Sequence, residues 1–209
     1  MSQYQTVLLF GPPGAGKGTQ GRILGTIPGF FHCACGDVFR QLDIQSDIGR
    51  LFLDYSSKGE LVPDEITIEI WARHIDNQVV LRAFKPEFDV LVLDGIPRTV
   101  EQADLLTKHI HVLKVLHLVC PDEEQMIERL RRRALRENRM DDAKESVIRH
   151  RWEIYQQETA PLLDYYGAGH IADIDAQRSP GEVLQQSLEI LIPVQNSHFA
   201  RLSFERAVD

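Results

Sequence analysis

The chain has 209 residues, 43% hydrophobic and 26% charged, the proportions of a soluble globular protein with a real core. A net charge of −8 and a pI near 5.5 argue against a nucleic-acid-binding protein. No apolar run approaches the roughly 20 residues that span a bilayer, no leader-like segment precedes the first apolar run, and three cysteines form neither a disulfide framework nor a four-ligand zinc set, so a cytoplasmic protein is expected.

In chain order, Thr6-Val7-Leu8-Leu9-Phe10 reads as a buried strand. The glycine-rich segment Gly11 to Gln20 follows, and a helix starting at Lys17 continues through Arg22-Ile23-Leu24. Phe30 to Ala34 reads as a second strand. Over 46–58, Ile48, Leu51, Phe52 and Tyr55 fall at helical spacing, and Gly59 caps that helix. Asp64 is the expected N-cap of a helix over about 65–80. Phe88 to Asp94 is a third strand with an acid at its end, and Thr99 with Gln102 makes a capping-box pattern for the next helix. Val112 to Val119 is a fourth strand, and Pro121-Asp122 opens a helix that runs into a group of arginines. A non-helical link over about 135–140, a long helix over 141–166, a strand over Ile171 to Ile174 and a last helix over 180–191 complete the alternation. Residues 193–209 fall outside it and read as a tail.

Alternating strands and helices predict an α/β fold, a five-stranded, mostly parallel sheet with helices on both faces. Ligands of such sheets collect at the carboxyl ends of the strands. The glycine segment, Asp37, Asp94 and Pro97-Arg98 all follow predicted strand ends, so the pattern points to one cleft.

Strand, glycine turn, helix is the context in which Gly-x-x-x-x-Gly-Lys cradles a polyphosphate. Gly14 and Gly16 permit backbone angles that aim N–H groups inward and leave no Cβ in the way. The helix N-terminus adds partial positive charge, and the Lys17 ammonium can reach the β- and γ-phosphates. The strict pattern puts a hydroxyl directly after the lysine; here Gly18 stands there and Thr19 carries the hydroxyl. A second phosphate as acceptor calls for several arginines, whose forks bind phosphate oxygens in pairs. This acidic chain gathers Arg129, Arg131, Arg132, Arg133, Arg136, Arg139, Arg149 and Arg151 in one region. Arg129 and Arg133 share a helical face, whereas Arg131 and Arg132 also read as solvated surface. Cys33 and Cys35 read as small residues near a strand end, and His32, His109, His111 and His117 as structural.

Taken together, these segments resemble the adenylate kinase and nucleoside monophosphate kinase family, over nearly the whole chain to about residue 192. Gly-Pro-Pro-Gly-Ala-Gly-Lys-Gly-Thr-Gln at 11–20 is similar to that family's phosphate loop, including the Gly-Thr order. Gly36-Asp37-Val38-Phe39-Arg40, Gly59 to Glu65, Asp94-Gly95-Ile96-Pro97-Arg98-Thr99 with Gln102, and Arg139-Met140-Asp141-Asp142 resemble four further motifs in order. The resemblance implies a phosphate-loop fold over 1–192, with an acceptor-binding insert at 36–65 and a lid at 133–142. Between Arg133 and Arg139 there is room only for the short form of that lid, so no structural zinc is expected.

The resemblance also implies roles. Gly11, Pro13, Gly14, Ala15, Gly16, Lys17, Gly18 and Thr19, with Arg129, Arg133 and Arg178, would hold ATP. Cys35, Arg40, Glu60, Leu61, Val62, Gly95, Arg98, Gln102, Arg139 and Arg151 would hold AMP. Lys17, Arg98, Arg129, Arg133, Arg139 and Arg151 would act on the transferring group, and Asp94 would hold magnesium through water. Counting from Asp142 places the last arginine at His150, counting back from Tyr155 places it at Arg151, and Arg149 is the alternative. Cys35 stands where adenylate kinases usually carry Thr and pyrimidine-specific relatives usually carry Ala, so kinase activity on CMP, UMP or a deoxynucleoside monophosphate is the second reading, although Thr99 and Gln102 match the adenylate pattern. A non-catalytic nucleotide module is the third; it is opposed by the presence of Lys17, Arg98 and the lid arginines. A monomer is expected, as in short-lid members.

Overall fold

The computed structural model describes residues 3–137 and 144–205, with only the backbone described at 137 and 199–205. Strands β1 (Tyr4–Phe10), β2 (Phe30–Ala34), β3 (Val90–Asp94), β4 (Ile110–Val119) and β5 (Ile171–Asp175) form one sheet. Its order is β2-β3-β1-β4-β5 and every pairing is parallel. Parallel strands are buried on both faces, which is why their sequences read as continuous apolar runs. Along β1, Leu8 and Phe10 pack with Leu91, Leu93, Trp71 and Phe84, while Val7 and Leu9 pack with Val92, Leu116, Leu118 and Met126. The period of two thus feeds two cores, one on each side. Each fully buried side chain of this size contributes about 1.5–3 kcal/mol.

The helices are α1 (Lys17–Leu24), α2 (Cys35–Arg40), α3 (Asp47–Lys58), α4 (Asp64–Val80), α5 (Val100–Leu106), α6 (Glu123–Glu137), α7 (Glu145–Ile154), α8 (Leu162–Tyr166) and α9 (Pro180–Glu205). The expected caps hold at two of them. Gly59 closes α3 in the left-handed conformation at φ 82°, and the Thr99 hydroxyl accepts from the Gln102 amide at the start of α5. The β1–β3 and β2–β3 registers set Leu9 and Ala34 beside Asp94, so three strands end side by side. After β1 the chain crosses to β2 on one side of it, and after β3 it crosses to β4 on the other side, a reversal that opens a crevice at the strand ends there.

Several boundaries differ from the sequence reading. The N-cap of α4 is Pro63, and Asp64 is already helical; its carboxylate turns to other partners described below. Residues 135–137 of the predicted link are helical, because α6 runs to Glu137, and 138–140 lie outside the described residues. The long helix expected over 141–166 is instead α7, a π turn at Tyr155–Thr159 and α8. Pro161, which has no N–H to donate, is the N-cap of α8. The last helix does not stop at 191: α9 continues through Pro193 to Glu205, so most of the segment read as a tail is helical. Proline removes one helical hydrogen bond, yet Leu191 is fully buried and Gln195 Nε2 donates to the Pro28 carbonyl at 2.9 Å, which holds the helix on course. Among the described residues, no helix is long and apolar enough to cross a membrane.

Candidate active site

At the strand ends lies a cleft of about 390 Å³. The phosphate loop forms its floor. Gly16, at φ 97°, is the N-cap of α1; it has no Cβ to strain in this left-handed conformation and offers no side chain to cap the first-turn N–H groups. A Cβ on Gly11, at φ 139°, would lie 2.5 Å from the Leu118 carbonyl, so the loop leaves β1 pressed against β4. Lys17 Nζ donates to the carbonyls of Gly11 at 2.6 Å and Pro12 at 3.0 Å. Burial draws the Lys17 pKa down to about 8; Asp94 opposes the fall, and Arg98, Arg133 and Arg151 add to it.

Among the described residues, nine that line the cleft are cationic, against the two acids Asp37 and Asp94. This is the concentration of positive charge that the acidic composition required. Of the predicted ATP residues, Pro13 to Thr19, Arg129, Arg133 and Arg178 all line the cleft. Gly11 lines a smaller adjoining gap with Lys17, Arg98 and Arg151. Arg129 donates to the Ala176 carbonyl at 2.8 Å, and Arg178 reaches Asp175 at 3.4 Å.

A side pocket of about 80 Å³ holds nine of the predicted AMP residues: Cys35, Arg40, Glu60, Leu61, Val62, Gly95, Arg98, Gln102 and Arg151. Arg139, with Asp141 and Asp142, lies outside the described residues. The stacked rings of Phe39 and Phe52, 5.1 Å apart, form one wall. Arg40 pairs with Asp37. Arg98 Nε donates to the Gly95 carbonyl at 2.8 Å, and the Thr159 hydroxyl donates to the Arg98 carbonyl at 2.9 Å. Burial pushes the Cys35 thiol up to about 12, so it stays neutral.

The structure separates the two arginines that counting could not. Arg149 bonds Glu123 at 3.0 Å, Glu124 at 2.7 Å and Glu145 at 2.8 Å, tying α7 to α6. Arg151 lines the cleft, the side pocket and the gap between them. A Cβ on Gly59 would lie 3.0 Å from Arg151 Cγ, so the end of α3 rests on this side chain. Arg131 and Arg132 pair with Glu145 and Glu128 on the surface, as their solvated reading implied.

Asp94 ends β3 and is 8% exposed. A Cβ on Gly18 would lie 3.5 Å from its Oδ2, which sets the carboxylate beside the first turn of α1. Among the described residues, no group of three or more His, Cys, Asp or Glu could hold a metal by itself. A carboxylate beside a phosphate loop suits Mg²⁺, which keeps most of its waters and takes its other oxygens from phosphate.

Two residues escaped the sequence reading as site residues. Arg136 lines the cleft; the spacing of Arg129, Arg133 and Arg136 on one helical face carried that signal. Asp64, read as a cap, bonds the Gln102 side chain at 2.7 Å and the Thr99 hydroxyl at 2.8 Å.

Comparisons with known proteins agree with this geometry. The sequence model of the family described as Adenylate kinase matches residues 9–171. A protein named Adenylate kinase from Cyanothece sp. (strain PCC 7425 / ATCC 29141) is 38% identical over 192 residues, covering 88% of this chain and 94% of its own length. Proteins of the same name from Nocardia farcinica and Thermobifida fusca are each 38% identical, over 88% of this chain and 98% and 97% of their lengths.

Proposed function

The chain belongs to the adenylate kinase family, and we propose that it transfers the γ-phosphoryl group of MgATP to AMP, giving two ADP. One observation carries this reading: the phosphate-loop cleft and the side pocket share Arg40, Arg98 and Arg151 in their walls. A donor phosphate over Lys17 and an acceptor phosphate beside Arg98 would meet across the same guanidinium groups. Phosphoryl transfer asks for that positioning and neutralisation rather than a covalent intermediate.

In this reading, the phosphate loop and Lys17 hold the β- and γ-phosphates, with Arg129, Arg133 and Arg178 lining the same cleft. Arg40, Arg98 and Arg151 grip the AMP phosphate, and Gln102, Val62 and Gly95 meet the base. Magnesium, when bound, neutralises and orients the donor phosphates, and Asp94 would hold its waters. An AMP phosphate oxygen attacks the γ-phosphorus, the bond from that phosphorus to the β-bridging oxygen breaks, and ADP leaves. Residues 36–65 and the lid at 133–142, to which Arg139 belongs, would close over both nucleotides and exclude water as a competing acceptor. The same reading takes the working form as a cytoplasmic monomer, to be checked by sedimentation; a stable dimer would count against it.

The test is ADP release with MgATP and, in separate reactions, AMP, CMP, UMP, GMP or dAMP. The expected result is the highest kcat/KM with AMP. Preference for CMP or UMP would show that the thiol of Cys35 decides the substrate. Absence of turnover with every acceptor would overturn the enzymatic reading.

A further inference from the structure

Gln102 is 1% exposed and faces the side pocket, yet both ends of its carboxamide are already engaged. Oε1 accepts from the Arg98 backbone N–H at 2.8 Å, and Nε2 donates to Asp64 Oδ1 at 2.7 Å. The chemistry of the partners fixes which end is which. A backbone N–H can only donate, and a carboxylate can only accept. The other Asp64 oxygen, Oδ2, accepts from the Thr99 hydroxyl at 2.8 Å, and Thr99 in turn accepts from the Gln102 backbone N–H at 3.1 Å. Asp64 is therefore held on one side by Thr99 and holds Gln102 on the other.

We propose that Asp64 is a positioning residue that locks the Gln102 carboxamide in one of its two orientations, and so sets the acceptor site to take a 6-aminopurine and refuse a 6-oxopurine. The inference rests on the reading of this pocket as the AMP site. With its two internal bonds made, Gln102 keeps one lone pair on Oε1 and one N–H on Nε2. That pair matches an exocyclic amino group beside an unprotonated ring nitrogen, as on adenine. A 6-oxopurine presents a carbonyl to Oε1 and an N–H to Nε2, two repulsions in place of two hydrogen bonds. To accept it, Gln102 would have to turn over. That would set Oε1 against the Asp64 carboxylate and Nε2 against the Arg98 N–H. A buried group left facing its own kind is costly, which makes the lock a means of discrimination.

The network also predicts what Asp64→Asn does. Thr99 still donates to the side-chain oxygen of residue 64, which leaves the new amide nitrogen facing Gln102. That nitrogen no longer accepts from Nε2 and can donate to Oε1, so one half of the lock is reversed and only the Arg98 N–H still resists the turned-over carboxamide.

The experiment compares kcat/KM for AMP and for IMP, which differ in the 6-amino and 6-oxo groups, in the natural protein and in Asp64→Asn. Melting temperature is recorded on the same samples. The AMP:IMP ratio is expected to fall about tenfold or more in the variant, the worth of one charge-assisted buried hydrogen bond. An equal fall with both nucleotides, whatever the melting temperature, would show that Asp64 only joins α4 to α5 and would overturn the lock. Should Asp64→Asn not fold, Asp64→Ser removes the carboxylate with a smaller residue, and the same ratio decides. The reading beneath the inference fails separately, if the natural protein turns over CMP or UMP better than AMP.

Discussion

Raising the pH from 7 to 9 is expected to weaken the capture of MgATP through a single side chain. Lys17 titrates near pH 8 because burial and three arginines disfavour its charge. Its charged fraction then falls from about nine-tenths at pH 7 to about one-tenth at pH 9. If only the ammonium form holds the triphosphate, kcat/KM for MgATP drops about tenfold over that interval, or about 1.4 kcal/mol. With MgATP saturating, kcat stays level, because the bound phosphates favour the charged lysine and draw its pKa back up. The Cys35 thiol and the Tyr155 phenol, each pushed up to about 12, do not titrate in this window. The assay is initial rate against MgATP at saturating AMP and constant ionic strength, since salt also screens the arginines. A kcat/KM that holds level to pH 9.5, or a kcat that falls in step with it, would refute the reasoning. The linked effect on folding has the opposite sign. The unfolded lysine titrates near 10.5, so between pH 8 and 10.5 the unfolded chain binds more protons and stability rises with pH. Lys17→Met should abolish that rise in a set of denaturant melts.

Two further outcomes follow from the geometry. Arg151→Ala should lower kcat/KM by about 10²–10³-fold, the usual cost of removing one group that stabilises charge in a transition state. Arg149→Ala should leave the rate unchanged, because its guanidinium faces Glu123, Glu124 and Glu145; similar losses in both variants would reject the assignment. In α1, a Cβ on Gly21 would lie 2.2 Å from His32 Nε2. Gly21→Ala should therefore cost about 1–3 kcal/mol in denaturant unfolding. Adding His32→Ala should recover part of that loss, and purely additive effects would show that the imidazole is not the obstacle.

The sheet was legible because its signals are local: β1 and β3 above all are apolar runs buried on both faces, ended by Gly11 and Asp94. The phosphate loop was legible for the same reason, since its chemistry lies in ten consecutive residues. Helix ends were read less well. The sequence reading ends the last helix at 191, but burial of Leu191 and the bond from Gln195 to Pro28 carry α9 past Pro193. These are contacts with distant chain, which outweigh a local preference.

The site's least legible residues share one property: their role is set by what the fold places around them. Arg149 and Arg151 are the same residue type on the same helix, and both stand near the place where counting expects an arginine. Three carboxylates surround the first, whereas the second opens on a cleft whose other lining charges are mostly positive. An arginine held by three acids gains little by turning to a phosphate, whereas one that opens on the phosphate cleft is placed to meet it. Asp64 follows the same logic from the other side. Nothing within its own helix explains its carboxylate; its partners are Thr99 and Gln102, 35 and 38 residues further along the chain. Sequence spacing can therefore say which side chains are able to grip a phosphate or fix an amide. Which of them does so depends on the opposite charges that the fold brings within reach.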